Sequence, residues 1–249
     1  MEVASGIYAR GAFMAHLQKD WFHLKRDWLS IVLAVLTPFL SIGVYKLMGP
    51  AESQAGVNPT AFTLCLSITF SSIIMSATSV VKEKMGGTLK RLAKSPANLT
   101  SFLAAKMVVA FGVVVVQALI VLVATDLLIQ GLGSLDVPAF IVTMLLLGMM
   151  CHAVGLFISC VCTTDVQAVL TSALLMSQMI SLSGVLRPLD RLGALGEVAR
   201  VLPLTQAYHA MKDVMDNGLA LNLAHAGMVA TVAVLFAGAV VALRFSKFE

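Results

Sequence analysis

Few residues in this chain are placed to do chemistry. An ionisable side chain inside a long apolar run is costly to bury and marks function by default. Two stand out, Asp126 and His152. Asp126 falls near the end of its run, within reach of solvent. His152 sits mid-run with no acidic partner at helical spacing, so the pair does not build the repeated carboxylate pattern of a proton- or sodium-driven carrier. The four cysteines, Cys65, Cys151, Cys160 and Cys162, show neither a Cys-x-x-Cys nor a paired histidine spacing. They read as small packing residues, not as a disulfide frame or a zinc site. No HExxH, GxSxG or GxxxxGK[ST] stretch occurs, so no nucleophile, metal set or phosphate loop is expected. The expectation is a non-enzyme with no catalytic residue, bound cofactor or metal of its own.

Uncharged polar residues are better organised. Thr60, Thr63, Ser67, Ser71 and Thr78 fall within roughly one 80° sector at 100° per residue, and Gln167, Thr171, Gln178 and Ser181 do the same on a later run. Such stripes either mediate helix packing in a membrane or line a translocation path. For the second role the candidates are Ser67, Ser71, Thr171 and Gln178.

The elements that must position these residues follow from composition. Of 249 residues, 59% are apolar and 12% charged, about half the charge of a soluble domain, and the mean hydropathy is +0.92. At about 20 residues per span, the length accommodates five to seven helices and short loops. Any energy-supplying domain is expected on another polypeptide. Six spans are read from the uncharged runs: Trp28 to Met48, Thr60 to Val81, Ala104 to Ile129, Val137 to Cys162, Val166 to Leu186 and Leu221 to Leu243. With the N-terminus inside, Arg10, Lys19, Lys25, Arg26, Lys82, Lys84, Lys90, Arg91, Lys94, Lys106, Arg244 and Lys247 are cytoplasmic. Lys46, Arg187, Arg191, Arg200 and Lys212 are not, a bias of twelve to five that obeys the positive-inside rule. The net charge of +4 is thereby a consequence of topology, and nucleic acid loses its support as a partner. Because the first 28 residues carry charges of both signs, no cleavable leader is expected and the first apolar run is retained.

Three segments remain outside the spans. Met14, Leu17, Trp21, Leu24 and Trp28 recur at helical spacing, with charges elsewhere on the wheel. This is an amphipathic stripe suited to a helix lying in the interface, or to a simple topological anchor. In KEKMGGTLKRLAKSPANLTS, Lys82 to Ser101, Gly86 and Gly87 break a helix, Thr88 caps a short one and Pro96 stops it. Leu89 and Leu92 give that helix an apolar face and Lys90, Arg91 and Lys94 its charge, so either a receiving surface or anionic headgroups should lie against it. Finally, Arg187 to Leu221 is divided by Pro188, Pro203 and Gly218 into stretches too short to span, about Leu189 to Leu202 and Leu204 to Asn217. These suit re-entrant or interfacial helices.

With these features in order, the chain resembles the ABC-2 permease subunits of ATP-binding-cassette exporters, the type V exporter fold. KEKMGGTLKRLAKSP, Lys82 to Pro96, is similar to the family's Glu, Gly-Thr-Leu and Ser-Pro pattern, and RPLDRLGALGEVARVLPLTQAYHAMKDVMDNG, Arg187 to Gly218, to its Pro-containing outer helix, Leu-Pro-Leu, short helix and Gly. The resemblance implies an all-α integral membrane protein of the cell inner (plasma) membrane. Both termini are cytoplasmic, residues 1–27 form an interface helix, and residues 28–249 form one six-helix domain with a coupling loop at 82–103 and an outer re-entrant segment at 187–221. It implies a half-transporter that pairs with a second permease, as homo- or heterodimer, and with separate ATPase subunits that bind ATP and Mg. Glu83, Thr88, Leu89, Lys90, Arg91 and Leu92 are then the ATPase-coupling residues, the interface helix with Leu17, Trp21, Leu24 and Trp28 also contacts the ATPases, and Pro188 and Pro203 form the outer gate; membrane lipid is a further expected partner. The aromatic content of 7% and polar stripes without a ladder of aromatic rings favour export of a lipid, drug-like molecule or peptide over a sugar chain. The alternatives are a polysaccharide exporter permease, a self-contained secondary carrier or channel, and a membrane scaffold.

Overall fold

A computed structural model of the chain describes residues 2–26, 28–47, 59–93, 99–129, 137–184, 193–217 and 223–245. Among the described residues there are ten helices and no strand: α1 (Glu2–Arg26), α2 (Trp28–Leu47), α3 (Pro59–Met85), α4 (Thr88–Ala93), α5 (Leu99–Ile129), α6 (Val137–Val161), α7 (Asp165–Leu182), α8 (Ala194–Val201), α9 (Pro203–Asn217) and α10 (Leu223–Phe245). Five of them, α3, α5, α6, α7 and α10, are long and apolar enough to cross a bilayer. Helix α2 has 20 residues and contains Pro38, and its apolar part is described from Ala34 to Leu47.

The boundaries differ from the uncharged runs in one systematic way. Helix α3 continues past Val81 to Met85 and carries Lys82, Glu83 and Lys84, while α5 begins at Leu99, ahead of Ala104. Hydropathy marks where a helix leaves the lipid, but the backbone hydrogen bonds do not end there. What ends α3 is Gly87, at φ 69°, a left-handed conformation that glycine adopts without penalty. Helix α7 opens on Thr164, whose hydroxyl accepts from the Gln167 amide at 3.2 Å, and closes before Gly184 at φ 79°. Leu202 is extended, as a residue preceding proline prefers, and Pro203 opens α9.

Helix α3 is the axis of the bundle, buried without interruption from Thr60 to Thr69. Its principal partner is α6, with α2, α5, α7 and α9 completing the surround. The α3–α6 crossing is close because Gly155 has no side chain: a Cβ there would sit 2.6 Å from the Ile73 carbonyl oxygen and 2.6 Å from Ser76 Cβ. Four residues on, Ser159 Oγ accepts from the amides of Val80 at 2.9 Å and Val81 at 3.0 Å, keying α6 to the α3 backbone. Lys84 donates to the carbonyls of Cys160 and Cys162, covering the C-terminal end of α6 with positive charge. All four cysteines are free and buried. Helix α9 buries Leu204, Ala207, Met211 and Val214 in the same core as α3 and α6.

Candidate functional site

Residues expected to form the coupling region gather at one end of the bundle. Glu83, on the last turn of α3, is buried and pairs with Lys19 of α1. Lys106 of α5 lies 3.3 Å from Asp20 of α1 and 4.0 Å from Glu83. Two cations and two anions thus close a neutral cluster that ties α1, α3 and α5 together, and the Thr88 hydroxyl hydrogen-bonds with Glu83 to add α4. One turn earlier on α1, His16 stands edge-on to Phe102 with ring centroids 5.5 Å apart. Burial holds its imidazole below the usual histidine range; Asp20 and Glu83 pull it up while Lys19 and Lys106 push it down.

The apolar face of α4 is received by the chain's own core. Leu89 and Leu92 are buried in a cluster with Phe102, Leu156 and Leu243, from α5, α6 and α10. A helix of six residues is too short to stand alone, and this packing holds it. Lys90 points away and is exposed; the side chain of Arg91 is outside the described residues. Beside the ion cluster a cavity of about 390 Å³ opens between α1, α3, α5 and α6. Its polar part is formed by Lys19, Asp20, Lys82, Glu83 and Lys106, and its apolar part by Leu24, Met75, Val109 and Leu156. At its wall His152 is buried and its Nδ1 is hydrogen-bonded to the Ser76 hydroxyl. The mid-run histidine is therefore tied to α3. No group of three or more potential metal ligands occurs among the described residues.

With this geometry in view, the chain matches the ABC-2 type transporter family over residues 11–215. It belongs to that family. The match takes in every element from most of α1 to α9, including the cluster and α4. The chain is also similar to the probable multidrug ABC transporter permease YbhR of Escherichia coli K12 and of Escherichia coli O157:H7. It is 30% identical to each over 135 residues, 52% of this chain and 35% of the relative. The aligned part thus spans about a third of those relatives' length. Together with its five apolar helices, membership makes this a multi-pass membrane protein.

The remaining site residues of the ABC-2 chain are distributed unevenly. Ser67 and Ser71 are buried inside the subunit. Ser71 Oγ donates to Gln117 Oε1 at 2.7 Å, while Gln117 Nε2 reaches the Ser67 carbonyl at 3.1 Å and Thr37 Oγ1 at 3.2 Å. The hydroxyls join α2, α3 and α5 through a buried amide that the stripe reading did not single out. Its signal was present in the sequence, since Gln117 is the lone amide in a run from Val113 to Ala124. Thr171 and Gln178, by contrast, are exposed on α7 next to exposed Leu170 and Leu174. The structure does not bring the two stripes onto one surface. On the interface helix, Trp21 is 45% and Trp28 69% exposed, with Leu17 and Leu24 half-buried. Trp28 belongs to α2 and not to α1. Met14 and Trp21 are exposed, whereas Lys19 and Asp20 face the bundle and Lys25 and Arg26 do not. Pro188 lies outside the described residues. Pro203 is the first residue of α9.

Proposed function

We propose that this ABC-2 chain is the transmembrane permease subunit of an ATP-driven exporter in the cell inner membrane. On this reading it has six spans, with α2 the first and both termini cytoplasmic, and it works with separate ATPase subunits and a second permease copy. The observation that carries the reading is α4: a helix of the family's coupling motif, anchored inward by Leu89 and Leu92 and offering Lys90 outward. Movement of an ATPase against that face would be passed to α3 and α5 as a rigid body, because the Glu83 cluster leaves α1, α3 and α5 no independent travel. ATP and Mg would act in the partner.

The exposed polar and apolar face of α7, with Thr171 and Gln178, suits a path shared with the second copy. Pro188 and Pro203 would frame an outer gate around α8 and α9. The multidrug designation of the Escherichia coli relatives and an aromatic content of 7% support a hydrophobic or amphipathic cargo over a stacked sugar chain.

Lys90→Glu reverses the charge of the exposed α4 residue without touching the core. The expected result is a membrane-inserted, folded protein that no longer co-purifies with its ATPase and has lost ATP-dependent transport in vesicles. If wild-type protein never associates with an ATPase and its transport ignores ATP, the reading fails and a self-contained carrier takes its place.

A further inference from the structure

The cavity between α1, α3, α5 and α6 is bordered by charges that answer one another. Glu83 holds Lys19 and Asp20 holds Lys106, while Lys82 is exposed and engaged in an interaction of its own. The lining therefore asks for neither a net anion nor a net cation. The hydroxyls deeper along α3 are also committed: Ser76 is hydrogen-bonded with His152 Nδ1, Thr78 Oγ1 donates to the Met75 carbonyl at 3.4 Å and Ser79 Oγ to the Ser76 carbonyl at 2.8 Å. One demand is left open. Asp20 is 8% exposed, its Oδ1 accepts from Lys106 at 3.3 Å, and its Oδ2 is buried with no hydrogen-bond partner. A buried acceptor without a donor is costly. The carboxyl turns on a broad terminal torsion, so a small rotation presents Oδ2 to a donor in the cavity.

Beyond the charges the wall is apolar, formed by Leu24 of α1, Met75 of α3, Val109 and Ala110 of α5 and Leu156 of α6. Met75 precedes Glu83 on α3 by eight residues, about 12 Å of helix rise. One end of the cavity is thus polar and the other apolar, over a depth suited to an alkyl chain. A volume of about 390 Å³ lies at the lower end of small-molecule sites, enough for one chain and a small headgroup.

We propose that this cavity binds a neutral single-chain amphiphile whose headgroup carries hydroxyls, of which a monoacylglycerol is the type. A headgroup hydroxyl donates to Asp20 Oδ2 while the ion cluster stays intact around it, and the chain lies along Met75, Val109 and Leu156. Bound there, the amphiphile touches α1, α3, α5 and α6 together and holds α1 against the bundle. The site requires only the cavity, so it stands whether or not α4 meets an ATPase.

The full-length chain in phosphatidylcholine nanodiscs, given radiolabelled octylglycerol with the counts on empty nanodiscs subtracted, tests this directly. Wild type should show saturable binding. Methylating both hydroxyls of the ligand removes its donors and leaves the protein untouched; affinity should fall about tenfold, ~1.4 kcal/mol, within the cost of a buried acceptor left unpaired. Val109→Phe and, from α3, Met75→Trp should each abolish saturable binding by filling the apolar part, whereas Val108→Phe, at an exposed position of α5, should keep it. No saturable binding by wild type, equal affinity for the methylated ligand, or undiminished binding in either folded cavity-filling variant overturns the proposal. So does tighter binding of octyl phosphate or octyltrimethylammonium, which would assign the cavity to a charged ligand. Full displacement by free glycerol at the concentration of octylglycerol overturns it too, since the apolar part would then have no role.

Discussion

Removing the Glu83 carboxylate is the most informative single perturbation. Glu83→Gln keeps the shape of the side chain but leaves Lys19, Lys106 and Asp20 with a net charge of +1 where the cluster had been neutral. Lys106 is 9% and Glu83 10% exposed, so little water reaches them. Breaking a buried pair by deleting one partner costs about 3–5 kcal/mol; an exit for Lys19, 31% exposed, puts the expectation at the lower end, ~3 kcal/mol. For a protein of this size that is a loss of about 6–12 °C in thermal midpoint. Lys19→Gln alone should cost only ~1 kcal/mol, because Lys19 is partly screened and Lys106 still faces Glu83 at 4.0 Å. The double variant leaves the 3.3 Å Lys106–Asp20 pair balanced, so it should be no worse than Glu83→Gln, giving a coupling energy of ~1 kcal/mol or more. The assay is the temperature at which the detergent-solubilised protein loses its monodisperse gel-filtration peak. Additive midpoint shifts, or a Glu83→Gln midpoint equal to wild type, would refute the idea that the cluster welds α1 to the bundle.

Other outcomes follow from single contacts. Gly155→Ala places a Cβ 2.6 Å from a backbone oxygen and should lose about 1–3 kcal/mol by overpacking. Gly112→Ala, with nothing within 4 Å, should be neutral or gain up to ~1 kcal/mol; matching melts for the two would reject the close α3–α6 crossing. Gln117→Leu strips its hydrogen bonds to Ser71, Ser67 and Thr37, each worth ~0.6 kcal/mol in a membrane. It should therefore melt earlier, whereas exposed Gln178→Leu should not, and equal midpoints count against the buried network. Because burial lowers the His16 pKa below 6.5, the docked α1 favours the neutral ring. Its contribution is complete above pH 6.5 and falls as pH drops below that value toward the depressed folded pKa. Hydrogen exchange of α1 amides, corrected for intrinsic rate, should show weaker protection at pH 5.5 than at 7.5 in wild type but not in His16→Phe, and equal protection in wild type counts against it.

How much of this was legible in the sequence depended on the length scale of the signal. Hydropathy located α2, α3, α5, α6, α7 and α10 to within a few residues, and Pro203 and the Gly86–Gly87 pair placed the start of α9 and the end of α3, because span length and backbone breaks are local properties. The direction in which a side chain points is not local. Leu89 and Leu92 looked like a face awaiting a receiver, and the receiver is Phe102, Leu156 and Leu243, residues that no periodicity connects to them. Ser67 and Thr171 carry stripes of equal quality. One is turned inward by Gln117 and the other is left exposed on α7. The α1 charges posed the same difficulty: Lys19 and Asp20 looked like the solvated side of an amphipathic helix, and it is their pairing with Glu83 and Lys106, over 60 residues away in sequence, that turns that side toward the protein.

That inversion bears on how force would travel on the proposed reading. An interface helix held by its apolar stripe alone would slide in the headgroup layer and absorb a push. Here Trp21 and Phe22 of α1 are exposed while Lys19 and Asp20 are bolted by ion pairs to α3 and α5. Glu83 is the bolt common to both joints and, through Thr88, to α4. A displacement of α4 by a partner is then shared at once by α1, α3 and α5. From α3 it passes to α6 through the Gly155 crossing and the Ser159 bonds to Val80 and Val81. Helix α7, which contacts α3 and less extensively α6, α8 and α9, keeps Thr171 and Gln178 exposed, and on the proposed reading that face is the one whose surroundings change.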